Sequence, residues 1–288
     1  MKILLIGKTG QLGGDLIKNN TGHEIYAPGR ELIEISSPET VSSAINYFNP
    51  DILINTAAFH NLPACEQDPC KAFSINCIAV RNMALQCRQQ GIIFLTFSTD
   101  YVFGGEKSVP YVEEDKLSPL QIYGISRAAG EYAVMAVAHD SSIIVRTCGL
   151  YGVFGARSKG GNFVDQRLKD AAEHKVIEIG CDQIVSPTYT GDLSRAIYRL
   201  IEHPGCKYGI YHLVNKGQCS WYEFTKAIYK IKGLNVDLQP VDRLGRSGEM
   251  RRPLYSVLAN TKASALGIDL PHWRVGLGEY IQEKYGKQ

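Results

Sequence analysis

Ile3-Leu4-Leu5-Ile6-Gly7-Lys8-Thr9-Gly10-Gln11-Leu12-Gly13 opens the chain with a short apolar run that leads straight into three evenly spaced glycines. An apolar run ended by Gly-x-x-Gly-x-x-Gly reads as a strand, a tight turn and a helix start, the unit that cradles a nucleotide's phosphates. Glycine permits the tight backbone and lets a pyrophosphate come close. The helix behind it supplies N–H donors and a positive dipole end. Lys2–Ile6 is therefore expected to be a strand and Gln11–Asn19 a helix. The apolar run is too short for a signal peptide and continues into glycines, so it reads as a buried first strand.

Outward from this unit the pattern repeats. His23–Ala27, Asp51–Asn55, Ile92–Ser98 and Ser142–Thr147 read as further strands, separated by helices over Glu39–Phe48, Cys70–Gln90 and Gln121–His139. Strands alternating with helices imply an α/β fold, a doubly wound parallel sheet of the Rossmann-like kind. Residues 1–150 are expected to form the dinucleotide-binding domain, completed by parts of 181–203. Residues 151–288 are expected to form mainly a smaller C-terminal α/β substrate-binding lobe, with helices over Asn162–His174, Gly191–His203 and Ser220–Lys232 and strands over Lys175–Ile179 and Gly209–Val214.

The 288 residues are 44% apolar and 21% charged, the balance of a globular protein with a large core. A net charge of +2 gives no electrostatic case for nucleic acid or a membrane surface as partner. No apolar run approaches the roughly 20 residues that span a bilayer. The eight cysteines are scattered, with no C-x-x-C pair, and read as free thiols of a cytoplasmic protein without disulfides or a bound metal.

Three further stretches carry chemistry. Asn55-Thr56-Ala57-Ala58 ends the third strand in small residues, as expected where backbone passes close to a cofactor. Gly29-Arg30 ends the second strand, where an arginine accepts a 2′-phosphate and so favours NADPH, with NADH the alternative; a solvated loop arginine is the bland reading. Ser98-Thr99-Asp100-Tyr101 ends the fourth strand, and Tyr123 and Arg127 follow on a helix start. Residues four apart share a helix face, so phenol and guanidinium can both point at the carboxyl ends of the strands, where such folds bind ligands. Reduction of a carbonyl needs a proton for the alkoxide that hydride transfer creates. A fixed cation beside the tyrosine is expected to favour the phenolate and so ease that transfer, while Thr99 bonds the same substrate oxygen.

Taken with Ala129-Gly130-Glu131, Arg146-Thr147, Gly161-Asn162-Phe163, Asp182-Gln183, Pro187-Thr188, Gly209-Ile210-Tyr211-His212-Leu213 and Arg252-Pro253, these motifs make the chain resemble the dTDP-4-dehydrorhamnose reductase family. These are extended short-chain dehydrogenases that reduce C4 of a nucleotide-linked keto sugar, and the resemblance runs almost end to end. It implies Tyr123 as proton donor, Thr99 as its partner, and Arg127 at the position of the family's lysine. It implies that Gly10, Gln11, Leu12, Arg30, Ala58, Phe59 and His60, beside Gly7, Ala57, Tyr123 and Arg127, line the cofactor. Asp100, Tyr101 and Thr99 would touch the sugar nucleotide, Gly149 would lie in its pocket, and Arg252 would meet its diphosphate.

Three positions depart from the family pattern: Arg127 for lysine, Gly149 where a tryptophan usually walls the sugar pocket, and Pro63 where an aspartate usually follows the third strand. The implied partner is a nucleotide sugar, and the implied state a monomer or homodimer. Two other readings share the motifs: an epimerase of the same superfamily, and an inactive relative acting as a dinucleotide-binding regulatory protein. A dehydratase is disfavoured, because Thr99 is followed by Asp100-Tyr101 and not by an Asp-Glu pair.

Overall fold

The computed structural model describes residues 1–154, 160–243, 246, 247 and 250–286. Strand β1 (Lys2–Ile6) lies inside a six-stranded sheet, because four of its five residues are apolar and fully buried. The Rossmann half continues through α1 (Gln11–Lys18), β2 (Glu24–Tyr26), α2 (Pro38–Phe48), β3 (Ile52–Asn55), α3 (Leu62–Gln67), α4 (Pro69–Phe73), α5 (Val80–Gln89), β4 (Ile93–Thr99), α6 (Ile122–Ala138) and β5 (Ser142–Thr147). Then come β6 (Leu150–Tyr151), α7 (Phe163–Glu173), β7 (Val176–Gly180), β8 (Ile184–Val185), β9 (Thr188–Tyr189), α8 (Thr190–Glu202), β10 (Gly209–His212), β11 (Cys219–Ser220), α9 (Trp221–Lys232), β12 (Asp237–Val241), α10 (Thr261–Ala265) and α11 (Trp273–Tyr285).

The sheet order is β10-β5-β4-β3-β1-β2, with every pair parallel. From β1 the chain steps outward to β2, then returns to the other side as β3. The carboxyl ends of β1 and β3 therefore flank the point where winding reverses, which is where open α/β sheets leave a crevice for ligands. One face of the sheet is covered by α1 and α8, with Leu12, Leu16, Leu193 and Ile197 packed on Ile3, Leu5 and Ile54. The other face is covered by α2, α5 and α6 through Val41, Ile45, Met83, Ala84 and Val134.

A separate apolar cluster joins α7, α9 and α11 around Tyr151, Val164, Phe224, Trp273 and Tyr280. Helices α7 and α9 both begin with capping boxes, Asn162 with Asp165 and Ser220 with Glu223. Among the described residues no helix is long and apolar enough to cross a membrane. None of the eight cysteines forms a disulfide.

Two expectations need correction. Gly209–Val214 does not build the smaller lobe: Gly209–His212 is the edge strand of the main sheet, in register with Ile143–Arg146 of β5. And Cys70–Gln90 is not one regular helix. Helix α4 starts at Pro69 behind the capping residue Asp68, and a π-helical turn, Ser74–Ala79, separates it from α5. Helix α3 precedes it, begun by Asn61, whose side chain accepts from the Ala64 N–H, and by Pro63 in its first turn, which accounts for that proline.

Candidate active site

The glycine turn has the shape its sequence requires. Gly7 has φ +95°, a conformation that side chains disfavour. A Cβ there would strike the Thr56 hydroxyl and stand 3.1 Å from the Ala57 nitrogen, so β1 and β3 meet with no side chain between them. A Cβ on Gly13 would run into the Gly7 carbonyl, which ties the start of α1 to the turn. Gly10 caps α1 with no side chain, so no side-chain oxygen occupies the N–H groups of its first turn.

Other expected cofactor residues sort differently. Leu12 is buried in the apolar cluster under the sheet, so its side chain does not line the crevice. Gln11 is half-buried, and its Oε1 has no hydrogen-bond partner among the described residues. Arg30 stands exposed, its guanidinium paired with Glu34 at 2.7 Å, so a phosphate there would compete with a carboxylate already in place. Such an exposed pair is worth little, and exchange is cheap.

Ala57, Ala58, Phe59 and His60 form a half-buried loop beyond β3. The loop is tied down by a residue that sequence reading missed. Asn76, 1% exposed in the π-helical turn, accepts from the Phe59 N–H at 2.9 Å through Oδ1 and donates to the Phe59 carbonyl at 2.9 Å through Nδ2. The same Nδ2 reaches Ser126 Oγ at 3.1 Å, and Ser126 Oγ donates to the Tyr123 carbonyl at 2.8 Å. One amide therefore links the cofactor loop to the tyrosine's helix. Asn, Ser and a distorted helix turn were visible as residues, but nothing in their spacing showed that they meet.

Tyr123, Thr99 and Arg127 do come together. Gln121 caps α6, its Oε1 accepting from the Gly124 N–H at 2.6 Å, and Glu66 accepts from the Ile122 N–H at 2.7 Å. A Cβ on Gly124 would strike the Tyr101 carbonyl, so the helix start sits hard against the one-turn 3-10 helix Asp100–Val102. The Tyr101 and Tyr123 rings meet edge to face with centroids 6.2 Å apart. Thr99 at the end of β4 hydrogen-bonds the Tyr123 phenol, and the Arg127 guanidinium acts on it electrostatically. Arg127 is 5% exposed, and its Nη1 has no hydrogen-bond partner among the described residues. A buried cationic donor left unsatisfied beside the crevice is a group waiting for an acceptor.

The phenol's acidity runs against the sequence expectation. Burial raises its pKa, Asp100 adds to the rise, and the pull of Arg127 and Thr99 only partly offsets them. Desolvation outweighs the cation, so Tyr123 is held in its protonated form.

The expected substrate residues also differ in their placement. Asp100 is 5% exposed and turns inward: its carboxylate accepts from Thr99 Oγ1 at 2.9 Å, Cys148 Sγ at 3.1 Å and Ser256 Oγ at 2.6 Å. Three of its roughly four lone-pair positions are thus taken within the protein, which leaves little of it to meet a sugar. Tyr101 lies near Arg252, whose charge lowers the phenol's pKa against a larger rise from burial. Arg252 is half-buried, with its Nε unpartnered among the described residues. Gly149 has φ +55°, and a Cβ there would stand 3.2 Å from both Pro187 Cα and the Trp221 ring. The aromatic surface missing at position 149 is supplied at the same place by Trp221 from α9, itself packed on Phe163 with ring centroids 4.5 Å apart.

Comparison with known proteins agrees with this geometry. The chain matches the family described as RmlD substrate binding domain over residues 1–285. It is 39% identical over 285 residues to the spore coat polysaccharide biosynthesis protein SpsK of Bacillus subtilis, covering 98% of each chain. It is 32% identical over 291 residues to a dTDP-4-dehydrorhamnose reductase of Streptomyces griseus, covering 99% of this chain and 94% of that one. The crystal structure of the Bacillus anthracis dTDP-4-dehydrorhamnose reductase in complex with NADP superposes with a TM-score of 0.90 at 33% identity, covering 98% of both chains. With a glycine cradle, a tyrosine beside a buried arginine and similarity along nearly its whole length, the chain belongs to the dTDP-4-dehydrorhamnose reductase family.

Proposed function

We propose that the protein reduces the C4 carbonyl of a nucleotide-linked keto sugar with NADPH, converting dTDP-4-dehydro-L-rhamnose to dTDP-L-rhamnose in the cytoplasm. The observation that carries this reading is the Tyr123 phenol, held protonated beside Thr99 and within the field of a buried Arg127 whose Nη1 has no partner among the described residues. A relative of 33% identity bound to NADP and curated reductases of dTDP sugars support the same chemistry.

The residues present fit the cofactor. Gly7, Gly10 and Gly13 leave a cradle that a Cβ at position 7 or 13 would fill, the first-turn N–H groups of α1 suit a pyrophosphate, and Arg127 Nη1 needs an acceptor. When bound, NADPH supplies the hydride. The chain supplies the rest. Tyr123 keeps its proton at Oη and passes it to the oxygen at C4 as negative charge develops there, and Arg127 stabilises the phenolate left behind. Because burial keeps the phenol protonated before transfer, the site is set for reduction. Trp221, at the place where Gly149 leaves room, offers a face for the sugar, and Arg252 beside Tyr101 offers a charge for the diphosphate.

The direct test is NADPH consumption by the purified protein with a panel of 4-keto sugar nucleotides. Turnover that depends on the keto sugar is expected, greatest with dTDP-4-dehydro-L-rhamnose. If the protein binds NADPH but leaves every member of the panel unreduced, the reading fails in favour of a binding role.

A further inference from the structure

Asp100 follows the catalytic threonine, yet its carboxylate points into the protein. Its Oδ1 accepts the Thr99 hydroxyl proton at 2.9 Å, while its Oδ2 is filled by Ser256 Oγ at 2.6 Å and Cys148 Sγ at 3.1 Å. Ser256 is wholly buried and rigidly held, its N–H bonded to the Ile184 carbonyl at 3.0 Å, and Ile184 N–H in turn to the Leu254 carbonyl at 2.8 Å. Cys148 is 2% exposed and lies one residue beyond β5, the strand paired with β4. Two separate stretches of chain thus converge on one carboxylate oxygen, and the other oxygen is left for Thr99.

A hydroxyl has one proton to donate. With that proton committed to Asp100, Thr99 Oγ1 turns its lone pairs elsewhere and accepts from the Tyr101 N–H at 3.2 Å, so both its proton and a lone pair are held.

We propose that Ser256 and Cys148 are positioning residues, which clamp the Asp100 carboxylate so that Asp100 fixes the orientation of the Thr99 hydroxyl beside Tyr123. This rests on the reductase reading and deepens it. The titratable groups facing Asp100 are Cys148, Tyr101 and Tyr123. Burial raises the Asp100 pKa, and the bonds from Ser256, Cys148 and Thr99 pull it back down. Removing one donor lets the carboxyl take a proton at higher pH, which frees the Thr99 hydroxyl to turn.

The experiment compares Ser256→Ala, Cys148→Ala and Cys148→Ser with the wild type. For Ser256→Ala and Cys148→Ala, kcat is expected to fall about tenfold, with NADPH affinity kept and the acid limb of the kcat–pH profile moved to higher pH. Cys148→Ser, which keeps a donor, is expected to restore both. A carbon NMR titration of the Asp100 carboxyl in the NADPH-bound protein follows the same shift without turnover, so it decides the proposal even if no keto sugar is reduced. An Asp100 titration and acid limb unmoved in both alanine variants overturns the clamp. So does equal loss in Cys148→Ala and Cys148→Ser, which indicates packing alone. Should Ser256→Ala fail to fold, the cysteine pair decides.

Discussion

Arg127 keeps the positive charge of the position and changes its shape. A guanidinium cannot give up its proton and presents a planar fork of donors, whereas lysine is a mobile point charge. Arg127 is buried, and its Nη1 has no hydrogen-bond partner among the described residues, which leaves the fork a donor to offer a ligand. Arg127→Met is expected to lower kcat by roughly 100-fold and to weaken NADPH binding. Arg127→Lys, which restores charge without the fork, is expected to stay within about tenfold of wild type. Steady-state kinetics with a fluorescence titration of NADPH separate the two effects, and wild-type turnover in Arg127→Met contradicts the role.

At this scale the sequence showed which residues carry chemistry but not how they are turned. Tyr123 and Arg127 were legible because four residues make one helix turn. The inward turn of Asp100 was not, since it depends on Ser256, 156 positions away, and Cys148, 48 positions away. The Arg30 to Glu34 pair was within reach of spacing, four residues apart, and shows how a residue suited to a phosphate can hold a carboxylate when no phosphate is there.

Among the elements, the π-helical turn Ser74–Ala79 positions more of the site than any other short segment. Apolar periodicity runs through it unbroken, so Cys70–Gln90 reads as one helix, yet the wider turn is what brings Asn76 to Phe59 and Ser126. A Cβ on Gly130 would strike the Asn76 carbonyl, so α6 can approach this turn only because glycine stands there. Asn76→Ala leaves the half-buried Phe59 amide without its partner and the Phe59 carbonyl with only Cys65 Sγ at 3.4 Å, a loss of about 1–3 kcal/mol. Urea unfolding is expected to show that loss, and NADPH affinity to fall with it. Unchanged stability and affinity would mean the loop is held by other contacts.

The strands that begin the chain were legible because buried parallel strands read as continuous apolar runs. Gly209–His212 was misassigned for a plain reason. It begins long after β5 ends at Thr147, and nothing local says that an edge strand will return to pair with β5.

Across the whole molecule, the sheet and the α7–α9–α11 cluster meet at a buried acid. Asp15 of α1 is fully buried and accepts a short hydrogen bond from Thr190 Oγ1, which also lies 3.2 Å from the Tyr151 carbonyl oxygen. Its Oδ1 has no partner among the described residues. Burial pushes its pKa up from 3.8 to about 6, with the Thr190 bond pulling back and Glu283 adding to the rise. The folded protein therefore binds this proton more tightly than the unfolded chain. Its contribution to stability is fully present below the unfolded value of 3.8 and is lost as pH rises through about 6. The loss amounts to about 3 kcal/mol. Asp15→Asn removes the charge, so it is expected to stabilise the protein by about 1–3 kcal/mol near neutral and alkaline pH, and by much less in mild acid. Urea unfolding of both proteins across that range checks the slope, and parallel curves would contradict it.

The claim on which the rest depends is that Tyr123 gives the proton in an NADPH-dependent reduction. It is tested most directly by following NADPH absorbance as dTDP-4-dehydro-L-rhamnose is added to wild type and to Tyr123→Phe, each shown beforehand to bind NADPH equally. The expected result is keto-sugar-dependent oxidation of NADPH by the wild type and a loss of 100-fold or more, roughly, in the variant. Equal rates in the two proteins would contradict it.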